Sequence, residues 1–161
     1  KITTYRRLSE KILNHIEAFL GKRGESWTNK SFLPGGDIEV DGQLALKNKL
    51  HENYPFFSED TIKRLVRSYG TITLDIFGDA DSLESLGEDF GAGLYEIEVK
   101  HLLEKEWART ADDILFRRSK LGLIIPKEGL KQLNLFLEAY HADTHISPKG
   151  KSLKMQKVRP A

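Results

Sequence analysis

Residues Glu104–Gly122 read EKEWARTADDILFRRSKLG, a stretch that marks both ends of a helix. Thr110 is a favoured N-cap residue. Asp113, three residues on, completes a capping box with Asp in place of the preferred Glu. Asp112 and Asp113 fall in the first turn, and Arg117, Arg118 and Lys120 in the last. Each set carries the charge that the helix dipole favours at that end. Gly122 stands where a helix often closes on a left-handed residue. Ala111, Ile114, Leu115, Arg118 and Leu121 share one face at spacings of three and four. The spacing predicts a helix over Thr110–Leu121 at the centre of a helical domain. Asp113 and Arg117 form a favourable i, i+4 pair. Trp107 is expected in the core, with Arg109, Asp112, Asp113 and Arg118 fixing how neighbouring helices pack. Caps, dipole and pairing account for these charges structurally, since ion-pair networks imitate functional clusters.

The same periodicity runs outward in both directions. Leu94–Glu106 is a helix whose core candidates are Leu94, Ile97 and Leu102, followed by Trp107. Leu123-Ile124-Ile125 is extended ahead of Pro126, and Lys127–Tyr140 is a last helix with Leu130, Leu133, Leu137 and Tyr140 inward. Upstream, Leu44–Leu50 is amphipathic and stops before Tyr54-Pro55. Ser58 caps a helix that buries Ile62, Leu65, Val66 and Tyr69 and ends at Gly70. Thr71–Phe77 has the β-branching of a strand, but its helical setting favours a helix. Ser82–Leu86 makes a turn. Tyr5–Leu20 is a helix capped by Thr3 or Thr4, with Tyr5, Leu8, Ile12 and Ile16 in register and Gly21 at its close. Residues 22–42 form a connector too long for an ordinary loop inside a compact domain. Trp27, Phe32 and Leu33 are expected to pin it to a surface, and Pro34-Gly35-Gly36-Asp37 is a turn signal. The expected fold is mainly α. The expected divisions are residues 1–21, a connector over 22–42, an all-helical domain over 43–140 and a disordered basic tail over 141–161.

Composition narrows the function classes. The 161 residues carry 39% hydrophobic and 30% charged side chains, a net charge of +1 and no cysteine. Zinc-thiolate sites, disulfides and cysteine nucleophiles are therefore excluded, and no apolar run is long enough for a transmembrane helix. Residues 141–161 carry +4 and the rest of the chain −3, so the tail suits an anionic membrane surface or plain solvation. It lacks the interleaved aromatic residues of a single-strand nucleic-acid binder, and no nucleic-acid partner is expected. No GxGxxG follows a strand, and no GxxxxGK[ST] is present. Gly87–Gly93 is glycine-rich in the wrong order for a phosphate loop and reads as a tight connection. Glu98 and His101 stand i, i+3. Without a second such pair they read as a surface or capping pair and not as metal ligands. The chain opens on Lys1 rather than Met, which suggests a fragment. In Lys1-Ile2-Thr3-Thr4-Tyr5-Arg6 a cation and hydroxyl residues open a helix, a pattern that suits an anion or a polarised ring and equally an ordinary capped helix.

Two stretches together are more specific. Lys1-Ile2-Thr3-Thr4-Tyr5-Arg6 resembles the end of the Gly-Gly-Lys-x-x-[Gly/Ser/Thr/Glu]-Tyr-Arg-x-x-Ala signature of FAD-dependent glycerol-3-phosphate dehydrogenases, with Ser9 where the family has Ala. Trp27-Thr28 and Leu33-Pro34-Gly35-Gly36 resemble the family's connector. Tyr54-Pro55-Phe56, Leu86–Gly91 and Glu106–Asp113 with Arg117-Arg118 resemble its C-terminal helical domain. The resemblance implies a small all-helical C-terminal domain preceded by the terminal helix (1–21) of an FAD-binding domain lying upstream. It implies an enzyme that oxidises sn-glycerol 3-phosphate to dihydroxyacetone phosphate. Electrons would pass through FAD to a membrane quinone, in a cytoplasmic protein held peripherally at the inner membrane. Lys1 would meet substrate phosphate and flavin together, and the backbone of Ile2 and Thr3 would approach the flavin's pyrimidine edge. The related glycerophosphate oxidases share the pattern, and a homodimer of the intact enzyme is compatible with it. A non-catalytic helical docking module is the competing reading. The isolated chain is expected to be inactive.

Overall fold

The computed structural model describes residues 4–22 and 24–144. Among the described residues six α-helices form: α1 (Tyr5–Leu20), α2 (Gln43–Asn53), α3 (Glu59–Tyr69), α4 (Ile72–Phe77), α5 (Glu96–Lys105) and α6 (Lys127–Thr144). Short 3₁₀ turns lie at Glu84–Leu86 and Leu121–Leu123, and a π-helical segment spans Asp113–Arg118. No strand forms among the described residues; one isolated bridge joins Asp89 to Tyr95. The fold is mainly α, as the periodicity predicts.

Local chemistry sets the helix ends. Ser58 Oγ accepts the Thr61 amide at 3.2 Å and starts α3, with Glu59 and Asp60 in its first turn. Gly70 ends it at φ 56°, where its missing Cβ is required a second time. Gly35 of the connector lies backbone to backbone against Tyr69 and Gly70, and any Cβ on either glycine would run into the other strand of chain. Thr71 N–H donates to Gly35 O at 3.2 Å, and the Thr71 hydroxyl donates to Asp37. The Pro34–Asp37 turn is thus docked on the α3–α4 corner. Trp27, Phe32 and Leu33 do not pin the connector as expected, for all three are exposed.

Two apolar clusters make the core. One gathers Leu46 and Leu50 from α2, Ile62 and Leu65 from α3, Phe77 from α4, and Tyr54, Phe57 and Leu86. The other gathers Val99 and Leu102 from α5, Ile114 and Leu115, Leu133 and Leu137 from α6, and Phe90 and Leu94. Tyr69 packs against both. In α6, Leu130 stays partly exposed instead of turning inward. The helix runs four residues past Tyr140, to Thr144, and His141 is buried; residues 145–161 lie outside the described residues.

The stretch that opened the reading folds differently from its prediction. The helix is short and stops at Arg118, because Ser119 N–H reaches back five residues to Ile114 O at 2.8 Å. Ser119 Oγ donates to the same carbonyl at 2.7 Å. Such an i−5 bond widens one turn, and the chain then reverses at Lys120, whose φ is 63°. Lys120, not Gly122, takes the left-handed position. Gly122 is needed for a different reason, since a Cβ there would collide with the Phe116 ring.

Candidate functional site

Lys1, Ile2 and Thr3 lie outside the described residues. The helix they precede has a distinctive surface. No acidic residue occupies the first turn of α1, and none of its residues is buried. Tyr5, Leu8, Ile12, Leu13, Ile16, Phe19 and Leu20 recur at helical spacing and are exposed, Phe19 at 88%. A helix with such a stripe needs an apolar surface against it. Its polar side is tied to the connector. Glu10 accepts from Arg6 at 3.3 Å, from Ser26 at 2.7 Å and from Thr28. The Thr28 and Ser26 hydroxyls hold the Glu10 carboxyl below its usual range. An open groove of about 720 Å³ runs between α1 and residues 22–28, lined by Leu13, Glu17, Leu20 and Trp27 among others.

At the opposite end of the chain the predicted capping box is present. Thr110 Oγ1 accepts the Asp113 amide at 3.2 Å. Asp113 accepts the amides of Thr110 at 2.9 Å and Arg109 at 3.0 Å, and pairs with Arg117 at 2.7 Å. The expected four-residue charge group does not assemble. Asp112 is exposed, and Arg118 pairs with Glu106 at 3.2 Å instead. Trp107 is not core: it is 81% exposed at φ 61°, while Ala108 beside it is buried. Chain geometry explains the exchange. α5 ends at Lys105, and the left-handed Trp107 two residues on turns Ala108 inward, where its N–H donates to Leu102 O at 3.0 Å.

Glu98 is another residue that sequence reading placed wrongly. It is fully buried, not a surface partner of His101. Its two oxygens accept from Arg64 Nη1 and Nη2 at 2.7 and 2.8 Å, and Oε1 also accepts the Tyr69 hydroxyl at 2.7 Å. Arg64 Nη2 donates onward to Gly93 O at 2.8 Å. Burial, then the Glu98 charge, push the Tyr69 hydroxyl far above its usual range, so it remains a donor. With three donors on its two oxygens, Glu98 is occupied as an acceptor. The cluster bolts α3 to α5. A signal was available in the sequence: Leu94, Glu98 and Leu102 are spaced by four, which puts a carboxylate on an apolar helix face.

The described residues offer no cradle for a flavin dinucleotide. No strand leads into a glycine-rich helix start, and the Gly87–Gly93 loop is filled by its own domain, Gly91 lying against Pro126 and Gly93 against Thr61. Among the described residues no group of His, Asp and Glu could hold a metal ion, and no helix is long and apolar enough to cross a membrane.

A family model described as the C-terminal domain of alpha-glycerophosphate oxidase matches residues 26–149. The aerobic glycerol-3-phosphate dehydrogenase of Escherichia coli is 38% identical over 140 residues, 87% of this chain and 28% of that protein. The glycerol-3-phosphate dehydrogenase of Pseudomonas aeruginosa is 38% identical over 141 residues, covering 88% of this chain and 27% of the relative. The D-erythritol 1-phosphate dehydrogenase of Brucella abortus is 38% identical over 120 residues, covering 74% and 24%.

Proposed function

The chain belongs to the family of alpha-glycerophosphate oxidase C-terminal domains, and on that premise we propose that it forms the C-terminal part of an FAD-dependent enzyme oxidising sn-glycerol 3-phosphate to dihydroxyacetone phosphate. The observation that carries this reading is the similarity to two glycerol-3-phosphate dehydrogenases over nearly nine-tenths of this chain but little more than a quarter of theirs. The unpartnered stripe on α1 supports it, because a helix belonging to a larger body presents such a face when taken without that body. FAD, bound by the remainder of the enzyme, would supply the redox chemistry, and no described residue takes part in it. Lys1 is assigned to the substrate phosphate and the flavin edge, with the backbone of Ile2 and Thr3 beside the flavin. A cation there offsets the phosphate's charge at the start of a helix that already favours anions. The electrons pass on to a membrane quinone, in an enzyme held peripherally at the inner membrane, and the basic tail adds attraction to anionic lipid.

The test is Lys1→Ala in the full-length enzyme. kcat/KM for glycerol 3-phosphate falls by at least tenfold, the equivalent of losing about 1.4 kcal/mol of transition-state binding, while the unfolding of the helical domain is unchanged. An unchanged kcat/KM removes Lys1 from the site. The 161-residue chain by itself does not reduce a dye with glycerol 3-phosphate; turnover by this chain alone defeats the reading. The erythritol-phosphate relative favours a second substrate reading, another polyol phosphate, and a comparison of kcat/KM for the two phosphates separates them. Oxygen uptake against quinone reduction separates an oxidase from a dehydrogenase.

A further inference from the structure

We propose that His101 is a proton-operated catch: its neutral ring holds Tyr69 in the seam between α3 and α5, and a proton on that ring loosens the seam and, through it, the seat of the connector at Gly35. The contacts run in series. The His101 ring meets the Tyr69 ring edge to face, with centroids 5.9 Å apart and planes at 84°. Tyr69 packs against both apolar clusters, and its hydroxyl donates to Glu98 at 2.7 Å. The Tyr69 carbonyl is the group that a Cβ on Gly35 would strike, and Thr71 N–H donates to Gly35 O at 3.2 Å. The residue that joins the two clusters is therefore also the residue on which the Pro34–Asp37 turn rests.

The surroundings accept the neutral ring and not the cation. His101 Nε2 is buried and has no hydrogen-bond partner among the described residues. A neutral imidazole can leave a bare lone pair there, whereas an imidazolium must place an N–H there, and a buried donor without an acceptor is costly. Carboxylates stand nearby, but each is already engaged. Glu98, one turn back on α5, accepts from Arg64 and Tyr69 of α3. Glu104 accepts the Tyr140 hydroxyl of α6 at 3.3 Å, and Glu106 pairs with Arg118 of the π-helical segment at 3.2 Å. Lys105 repels a second cation. Burial is the largest influence on the ring; it outweighs the pull of Glu106, Glu98 and Glu104 and holds the His101 pKa below its ordinary 6.5. The ring gains a proton by swinging Nε2 out to water, and that motion withdraws it from Tyr69.

Linkage sets the size of the effect. The released ring titrates near its ordinary value, and each pH unit below that value favours the open form by up to about tenfold. At about pH 5.5 the seam opens several-fold more often than at about pH 7.5, with roughly tenfold as the ceiling.

Amide hydrogen exchange of the 161-residue chain, resolved by NMR and corrected for intrinsic rates, tests the proposal at these two pH values. The Thr71 amide, bonded to Gly35 O, loses protection several-fold on acidification, while the Tyr54 amide, bonded to Leu50 O at the end of α2, keeps its own. His101→Phe and His101→Gln, neither of which titrates, remove the difference at Thr71; if the Phe variant fails to fold, the Gln variant decides. In the wild-type spectrum the Tyr69 ring resonances shift with the same midpoint as His101 Cε1–H, a readout that needs no variant. A change below about twofold at Thr71 overturns the catch. An equal loss at Tyr54 overturns it too, because the whole domain is then yielding. A difference at Thr71 that persists in His101→Gln belongs to another group, and separate midpoints for Tyr69 and His101 break the link between them; either result refutes the proposal.

Discussion

Arg64→Ala is the most informative single change to the helical domain. Arg64 is largely shielded and Glu98 wholly so, and they share two hydrogen bonds of 2.7 and 2.8 Å. Removing the guanidinium leaves a buried carboxylate whose only remaining donor is Tyr69. A broken buried pair of this kind costs about 3–5 kcal/mol. For a chain of this size that lowers the melting temperature by roughly 10 °C or more. Glu98→Ala strands Arg64 and the Tyr69 hydroxyl and leaves a void, so its loss is of the same order. The double change Arg64→Met with Glu98→Leu is far milder than either single change, since filling the space with apolar atoms removes the need for pairing. Urea unfolding of the wild type, the two single Ala variants and their double Ala variant gives the coupling energy directly. A loss below about 1 kcal/mol for Arg64→Ala, the range of exposed pairs, would show that Glu98 reaches water and that α3 and α5 are not bolted through it.

Three further changes probe other contacts. Gly129→Ala should stabilise a helix by about 1 kcal/mol on propensity, yet here the added Cβ meets the Phe90 carbonyl, so urea unfolding shows a net loss of about 1–3 kcal/mol; a gain refutes the close seating of α6 on the Gly87–Gly93 loop. Asp113→Ala removes the capping box and costs about 1–2 kcal/mol by thermal melt. Partial burial raises the Asp113 pKa, but hydrogen bonds from Thr110 and the Arg109 and Thr110 amides outweigh it and hold the carboxyl below 3.8. Its stabilisation is thus full above 3.8 and vanishes as pH falls through the lower folded value, a component that acid unfolding of Asp113→Ala lacks. Burial lowers the His101 pKa beneath 6.5. The folded state therefore resists its protonation, and stability declines as pH drops below 6.5; His101→Phe loses that slope, and equal slopes in both proteins refute the assignment.

The helices were legible because each carries an apolar stripe at spacings of three and four, buried in α3, α5 and α6 and exposed in α1, and because recognisable residues bound them: Ser58 and Gly70 for α3, Thr110 with Asp113 for the π-helical segment. What escaped depends on single backbone torsions and on partners distant in sequence. Nothing local says that Trp107, two residues past α5, turns left-handed, so Trp107 and Ala108 exchange inside for outside. One extra residue in the turn at Ser119 shifts the reversal to Lys120. Glu98 looked like surface charge because its partner, Arg64, lies 34 residues away. The assigned site, Lys1 with Ile2 and Thr3, was legible only through family resemblance.

The connector has a mechanical consequence. Its first part is fastened to α1 where Ser26 and Thr28 bond Glu10, and its last part to the α3–α4 corner where Gly35 meets Gly70 and Asp37 meets Thr71. Only residues 29–34 remain between the two attachments. Fully stretched, six residues reach roughly 20 Å, and turns at Trp27–Lys30 and Leu33–Gly36 shorten that. The connector over residues 22–42 is thus tied at both ends, with only a short span between the ties. The two attachments leave residues 29–34 to set how far the helical domain can stand from α1, and insertions there should lengthen that reach without loosening either attachment.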